Sequence, residues 1–371
     1  MSSTFKVLTK KINYNRIFLL SDLHFGVRSN SLEWLQNQLQ FFKEFYIPFL
    51  KENVKKGDIL FFLGDFFDNR QLLDIYVMNS AIDIVIELSS ILPIYFITGN
   101  HDIYKKYDTD VNSIVAFRFI KNVHIFEKPI IVTNEETKIL LLPWVGNKDN
   151  EEKYVKENLG NFDYVFAHMD IAGFRYDNGR MIHAGVNLSK IKGIKKLFSG
   201  HIHKRQSQKN LYYIGSPYHT KRSDIGNKKG VYIFDPQEDK FEFVINNLSS
   251  LFQRIKLENI LELDLKQTKA IFNNNYTDII VPDKYIHLFN LTKFIEILND
   301  CSYKKIEAVG EKGKLEDELS GVSVGVNVKD ILTLLEMSID DLGHQMELLI
   351  KLKILNKKYY ELSQRDEEEN W

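Results

Sequence analysis

Short apolar runs, each closed by a polar residue or a glycine, recur through the first two thirds of the chain. They are Ile17–Leu20, Ile59–Leu63, Ile94–Ile97, Ile139–Leu142, Tyr164–Phe166, Leu197–Phe198, Tyr212–Ile214 and Val231–Phe234. Unbroken runs of this length predict strands buried on both faces. Between them, Leu32–Lys51 and Leu72–Leu88 return an apolar residue every three or four positions, the spacing of amphipathic helices. Alternation of the two predicts an α/β sandwich with helices outside the sheets. Past about Asn246 the texture changes: Lys, Glu and Leu increase and strand-like runs thin out. The pattern from Leu257 to about Gly310 predicts a helix, a strand over Thr277–Val281, a helix over Leu288–Leu298 and a strand over Lys305–Val309. Two short helices then follow, Val328–Glu336 and one beginning after Ser338, which offers an N-cap with Asp340 and Asp341 in the favourable first turn. The expected division is therefore 1–246, a smaller α/β domain over 247–321, and C-terminal helices over 322–371 ending in an acidic tail.

Length and composition agree with two folded units. A chain of 371 residues exceeds the roughly 250 to 300 residues at which single cores stop growing. With 44% hydrophobic and 27% charged residues and 7 Pro, the chain reads as an ordered globular protein. The lone Cys301 excludes an internal disulfide and a four-cysteine zinc site. Any metal must be held by His, Asp and Asn. Met1–Lys11 lacks the apolar core of a secretion signal, and no apolar run reaches the roughly 18 residues of a membrane span, so a cytoplasmic location without membrane contact is expected. A formal net charge of −1 gives no global field for nucleic acid, which leaves such contact to a local basic patch.

The candidate chemistry lies at the ends of the predicted strands. Asp22 and His24 stand in SDLH, Asp65 and Asp68 in GDFFD, Asn100, His101 and Asp102 in GNHD, His168 in AHMD, and His201 and His203 in GHIH. In open α/β sheets, loops leaving the carboxyl ends of strands converge, so distant positions become one cluster. Donors of these types suit divalent ions such as manganese, iron or zinc, and the absence of thiolates argues against copper(I) or iron–sulfur chemistry. The number of ligands points to two ions. Such pairs sit roughly 3.5 to 4 Å apart, share a carboxylate and clamp the oxygens of an in-line phosphoryl displacement.

These motifs, in this order, resemble those of the calcineurin-like metallophosphoesterases. Within that family the run AHMDIAGF, GHIHKRQ, LYYIGSPYHTKRSD and GVYIFD is similar to the SbcD-type nuclease subunits of DNA repair and recombination, in their phage version. The resemblance implies a four-layer α/β/β/α sandwich with a smaller α/β capping domain that contacts DNA. It implies Asp22, His24 and His203 on one ion, Asp65 bridging, and Asn100, His168 and His201 on the other, with Mn2+ as the expected metal. His101 would face the phosphate and Asp102 would orient its ring. Many cellular relatives of the SbcD type carry a His where this chain has Asp68, so Asp68 is expected to brace the site by hydrogen bonds. Lys204, Arg205, Lys221 and Arg222 follow the metal motifs closely and are candidates for contact with DNA phosphates.

The resemblance further implies a homodimer through 32–49 and 72–88, and an SbcC-type, SMC-like ATPase partner seated on the C-terminal helices. His124, His183, His219, His287 and His344 read as surface or core residues, with His183 and His219 placed in loops bounding the site. The expected activity is metal-dependent DNA cleavage, exonucleolytic at duplex ends and endonucleolytic on single strands. Two rivals remain: a phosphatase, phosphodiesterase or pyrophosphohydrolase acting on a small substrate, and a scaffold of this fold that has lost catalysis.

Overall fold

The computed structural model describes residues 5–105, 108–188, 192–285, 289–298 and 301–310. The chain divides into two compact units, Met1–Ser250 and Leu251 onward. The C-terminal helices expected over 322–371, like His287 and His344, lie outside the described residues.

The first unit is built on two sheets. One has six strands in the order Lys240–Ile245, Gly230–Asp235, Ile17–Leu20, Ile59–Leu63, Ile94–Ile97, Val123–Phe126. The other has seven, in the order Thr9–Lys11, Ile130–Thr133, Lys138–Leu142, Tyr164–His168, Lys196–Gly200, Leu211–Tyr213, Gln206–Gln208. Their central strands run parallel, with Leu20 opposite Phe62, Phe62 opposite Phe96 and Phe166 opposite Phe198. Successive side chains of a strand point to opposite faces, and here both faces are apolar, which makes each central strand a continuous hydrophobic run.

Alternation sorts these residues into three cores. Ile17, Leu19, Ile59, Phe61, Tyr95 and Ile97 face Ile139, Leu141, Tyr164, Phe166 and Phe198 between the sheets. Phe18, Leu20, Leu60, Phe62, Ile94 and Phe96 point the other way, onto Leu35, Phe42, Tyr46, Val77, Val85 and Leu88 of the helices. On the outer face of the seven-stranded sheet, Leu140, Leu142, Val165 and Ala167 meet Val155 and the connection carrying Met169 to Ile194. The result is the expected layering, helices over one sheet and one helix plus a long connection over the other.

The helical stretch predicted over Leu32–Lys51 is interrupted. An α-helix over Leu32–Gln40 widens into a π-helical turn, Phe41–Tyr46, and resumes over Ile47–Asn53. Pro48 has no N–H to give the Glu44 carbonyl, and the ring of Phe41 stacks on that of Tyr46 at 5.7 Å. The second predicted helix starts later, at Ile75 instead of Leu72, because Asp74 caps it by accepting from the Tyr76 N–H at 2.7 Å. No helix among the described residues is long and apolar enough to cross a membrane.

The second unit carries three parallel strands, Phe252–Lys256, Tyr276–Val281 and Lys305–Gly310, linked through helices Leu257–Leu261, Leu265–Phe272 and Leu291–Ile297. Leu257, Phe272, Ile279, Phe294 and Ile306 form its own core. The helix predicted from Leu288 begins at Leu291, where the Asn290 carboxamide accepts from the Lys293 N–H.

Phe166, fully buried between the sheets, packs edge-on against Phe61 at 5.3 Å and against Phe198 at 5.9 Å. Replacing it with Ala leaves a cavity that opposing sheets cannot close and costs about 3–5 kcal/mol. Urea unfolding followed by tryptophan fluorescence measures this, and a loss below about 1 kcal/mol would contradict the inter-sheet packing.

Candidate metal centre

Five strand ends bring the chemistry together. Beyond Leu20 and Leu63 the chain continues as two loops zipped by backbone bonds. The Asp22 N–H donates to the Gly64 carbonyl, that of His24 to Asp65 and that of Phe25 to Phe66, at 2.8 to 3.1 Å, while the Asp68 N–H returns a bond to Phe25. Phe66 and Phe67 are buried anchors, so the residues flanking them, Asp65 and Asp68, are held at the sheet edge. Several of these side chains require an unusual backbone: φ is +56° at Asp22, +50° at His24, +51° at Asp65 and +89° at His201. Non-glycine residues in this region cost on the order of 1–3 kcal/mol each and persist where the surroundings dictate them.

Two glycines allow the loops to approach. A Cβ on Gly99 would lie 2.2 Å from both the amide nitrogen and Oδ1 of Asp65. One on Gly64, whose φ is +85°, would lie 2.4 Å from His168 Nδ1.

The donor atoms fall into groups in which every ligand atom lies within 4.8 Å of the others: Asp22, His24 and His203 in one, Asp65, His168 and His201 in a second. A third group joins His24, Asp65 and His101. His24 Nε2 stands 2.9 Å from His203 Nε2. Asn100 Oδ1 lies 3.1 Å from His168 Nε2 and 2.7 Å from His201 Nδ1, and Asp65 Oδ2 lies 3.3 Å from His168 Nε2. The structure thus brings all seven expected ligands into one cluster.

These contacts fit a cation. His168 spends its Nδ1–H on the Leu63 carbonyl at 2.7 Å, which turns Nε2 toward two oxygens. Such a convergence requires a proton or a metal ion between the atoms. Charge agrees. Burial opposes ionisation of Asp65, yet His168, His101 and His24 hold its carboxyl well below the usual range. Burial likewise works against charge on His168, but Asp65 and Asp22 raise its ring to about 9. His203, buried and beside His24, is driven well below the ordinary histidine value and keeps a lone pair to offer.

Supporting groups surround the ligands. His201 Nε2 faces Asp170 Oδ1 at 3.2 Å, and the His201 ring lies 5.2 Å from that of Trp144. Asp68 Oδ1 is 3.0 Å from His24 Nδ1, a bracing contact made through the side chain. One expectation is corrected. The His101 ring is oriented by its Nδ1–H donating to the Asp68 carbonyl at 2.6 Å, and Asp102 takes no part. Asp102 is buried, and its carboxylate accepts from the backbone N–H groups of Phe66, Phe67 and Gly99 at 2.8 to 3.2 Å, tying the GDFFD loop to the GNHD loop.

Behind His203 lies a buried ion pair that sequence reasoning missed. Lys229 Nζ contacts Asp224 Oδ1 at 2.7 Å, the His203 carbonyl at 2.6 Å and Ser216 Oγ at 2.9 Å. Asp224 also accepts from the Thr220 N–H at 2.9 Å, and Thr220 Oγ1 lies 3.3 Å from His203 Nδ1. His219 is buried against the Asn227 carbonyl, and His183 is exposed; neither joins a ligand group among the described residues.

A cavity of about 420 Å³ opens over the cluster, lined by His24, Asp65, Asp68, His101, His201 and His203 together with Arg28, Asp177, Thr220 and Lys221. Of the four basic residues expected near DNA, Lys221 lines this cavity and pairs with Asp177 at 2.7 Å. The Arg205 guanidinium instead lies 4.1 Å over the ring of Phe243. Lys204 donates its backbone N–H to Asp177, and Arg222 begins a short 3-10 turn.

Two largely parallel sheets, ligands at their carboxyl edges and a shared aspartate define a metallophosphoesterase centre. Residues 15–205, just over half of the chain, match the calcineurin-like phosphoesterase family, and the chain belongs to it. That family works with divalent metals on phosphoester bonds, which makes the protein by class a hydrolase acting on esters. The chain is similar to exonuclease subunit 1 of enterobacteria phage T4, with 28% identity over 327 residues that cover 86% of this chain and 91% of that protein. Among solved structures, an archaeal phosphodiesterase is 14% identical with a TM-score of 0.34, covering 62% of this chain and 99% of its own. A cold-active protein-tyrosine phosphatase of a psychrophilic Shewanella is 11% identical with a TM-score of 0.29, covering 66% and 84%.

Removing one partner of a buried ion pair strands the other's charge. Lys229→Met should therefore destabilise the first unit by about 3–5 kcal/mol, and a compensating Asp224→Leu should return part of that loss. Thermal melts of the single and double variants check this: equal stability of Lys229→Met and the parent would show that the pair is not needed.

Proposed function

We propose that this chain is a metal-dependent DNA nuclease, cutting phosphodiester bonds by a two-metal, in-line displacement. The observation that carries the reading is the convergence of two ligand groups on the buried Asp65. Asp22, His24 and His203 would hold one ion, Asn100, His168 and His201 the other, and Asp65 would serve both. When bound, the ions supply Lewis acidity and neutralise the charge that develops at phosphorus.

The chain's own residues do the rest. Asp65 is fixed by the His101 N–H, which donates to its Oδ1 at 2.7 Å. His101, with Nδ1–H committed to the Asp68 carbonyl, leaves Nε2 as the atom that would give a proton, from the imidazolium, to the leaving oxygen. Leu63 and Asp170 fix the orientation of His168 and His201. Lys221, on the cavity wall, would meet a backbone phosphate.

Similarity to a phage exonuclease subunit over most of both chains supports DNA as the substrate over a small ester. In this reading the protein trims duplex ends and nicks single strands as the nuclease subunit of a recombination or repair complex. It works beside an SMC-like ATPase, with 247–321 as a DNA-contacting cap and 322–371 as the ATPase-binding segment. Manganese is the proposed metal, and the host cytoplasm the proposed compartment for a phage-encoded chain.

The activity is tested by incubating the purified chain with Mn2+ and labelled duplex DNA, or with bis(p-nitrophenyl) phosphate. Both substrates should be cleaved and chelation should abolish it. Asp65→Ala should lose all detectable activity and metal binding, while His101→Ala should keep metal and lose about 10²–10⁴-fold in rate. Cleavage of the small ester alone would move the assignment to a small-substrate phosphodiesterase. Absence of both metal binding and cleavage would leave a scaffold.

Helix Ile75–Ile91 and its approach leave Leu72, Ile75, Tyr76 and Ile86 exposed, between 49% and 78% of each open to solvent. Apolar groups of this size on a surface helix favour a proposed symmetric dimer through 32–49 and 72–88. Light scattering at micromolar concentration should give twice the chain mass, and Ile75→Glu with Tyr76→Glu should halve it. A monomeric parent protein would rule the dimer out.

A further inference from the structure

The segment that follows His24 is a left-handed turn. Gly26 has φ +85°, and Arg28, Ser29 and Asn30 have φ +55°, +56° and +61°. Three consecutive L-residues in this region cost roughly 1–2 kcal/mol each, so the turn persists only because its neighbours dictate it. The anchors are identifiable. The Val27 N–H donates to the His24 carbonyl at 3.0 Å, the Asn30 N–H to Gly26 at 2.9 Å, and the Asn30 carboxamide oxygen accepts from the Asp74 N–H at 3.3 Å.

The consequence of this turn is the placement of one side chain. Arg28 extends over Trp34, its guanidinium carbon 4.4 Å from the ring centroid, and its Nη2 donates to the Thr220 carbonyl at 3.4 Å. Trp34 is itself buried, at 3% exposure, and forms a fixed platform. Arg28 thereby lines the cavity that holds His24, Asp65, His101, His201 and His203. The other side chains there include the carboxylates of Asp65, Asp68 and Asp177, an acidic surround that repels a phosphate unless cations face it.

We propose that Arg28 is a substrate-binding residue that takes a phosphate group of the bound diester at the rim of the metal centre. A guanidinium seated over an indole is held as a planar fork of donors, and phosphate oxygens match that fork bidentately. The stack also removes most of the rotamer freedom that a long cationic side chain loses on binding. Phosphate binding accounts for the strained turn, which carries the guanidinium from a strand end that must first deliver Asp22 and His24 to the cluster. The assignment rests on the phosphodiester reading above, and its test separates the two.

The full chain, loaded with Mn2+, is titrated with inorganic phosphate and assayed with bis(p-nitrophenyl) phosphate, as parent, Arg28→Gln and Arg28→Lys. Arg28→Gln should weaken phosphate binding about tenfold, the worth of one charge-assisted contact, and raise KM more than it lowers kcat. Arg28→Lys, with charge but no fork, should fall between. Mn2+ stoichiometry and affinity, read by electron paramagnetic resonance, should stay within twofold in both. If the parent hydrolyses nothing but phosphate binding still drops in Arg28→Gln, the role of Arg28 stands and the hydrolytic reading falls. Phosphate affinity within twofold of the parent in both variants overturns the proposal. So does loss of Mn2+ from both, which would make Arg28 a prop for the metal ligands.

Discussion

A carboxylate buried at the joint of several loops sets the terms for the first unit. Asp65 is 1% exposed, accepts from the His101 amide, faces the rings of His168 and His24, and lies against a glycine backbone too close for any side chain. A buried negative charge of this kind is costly unless it is matched. Imidazoles supply the match, and a divalent cation would supply it better. The surrounding structure follows from that demand: glycines where loops must touch, left-handed backbone at Asp22, His24 and Asp65, and Asp102 clamping three amides so that the loops cannot drift.

Ligands on opposite sheets make the centre sensitive to packing far from it. Asp22, Asp65 and Asn100 follow strands of the six-stranded sheet, while His168, His201 and His203 end or follow strands of the seven-stranded one. Their spacing is therefore set by how the sheets seat on each other, through a core of interlocking rings such as Phe61, Phe166, Phe198 and Phe234. Dense aromatic packing resists sliding, because each ring moved off its neighbour opens a void.

The central strands and the ligand motifs were legible in the sequence, since a strand buried on both faces is an unbroken apolar run and its end is marked by a polar motif. Edge strands were not. Thr9–Lys11 and Gln206–Gln208 are wholly polar, and their pairing comes from a neighbour's free edge and not from their own pattern. Helix ends shifted where a cap decided them, as at Asp74. The ion pair of Lys229 with Asp224 and the role of Asp102 as an amide clamp were also hidden. Each depends on what is buried beside it, and residue type alone carries no record of that. Arg28 escaped notice for a further reason: a left-handed turn of non-glycine residues has no sequence signature.

The His201 amide donates to the carboxylate of Asp22, a partner 179 positions earlier in the chain. The same span separates His24 from His203, whose ring nitrogens nearly touch. A ribosome reading this message makes both aspartates of the centre, with His24 and His101, long before His168, His201 and His203. Until His203 has emerged, nascent Asp22 and Asp65 lack much of the charge that would balance them and have every reason to stay in water. The centre is thus complete only when residues 201 and 203 have joined the fold, so its geometry depends on contacts that span half of the chain.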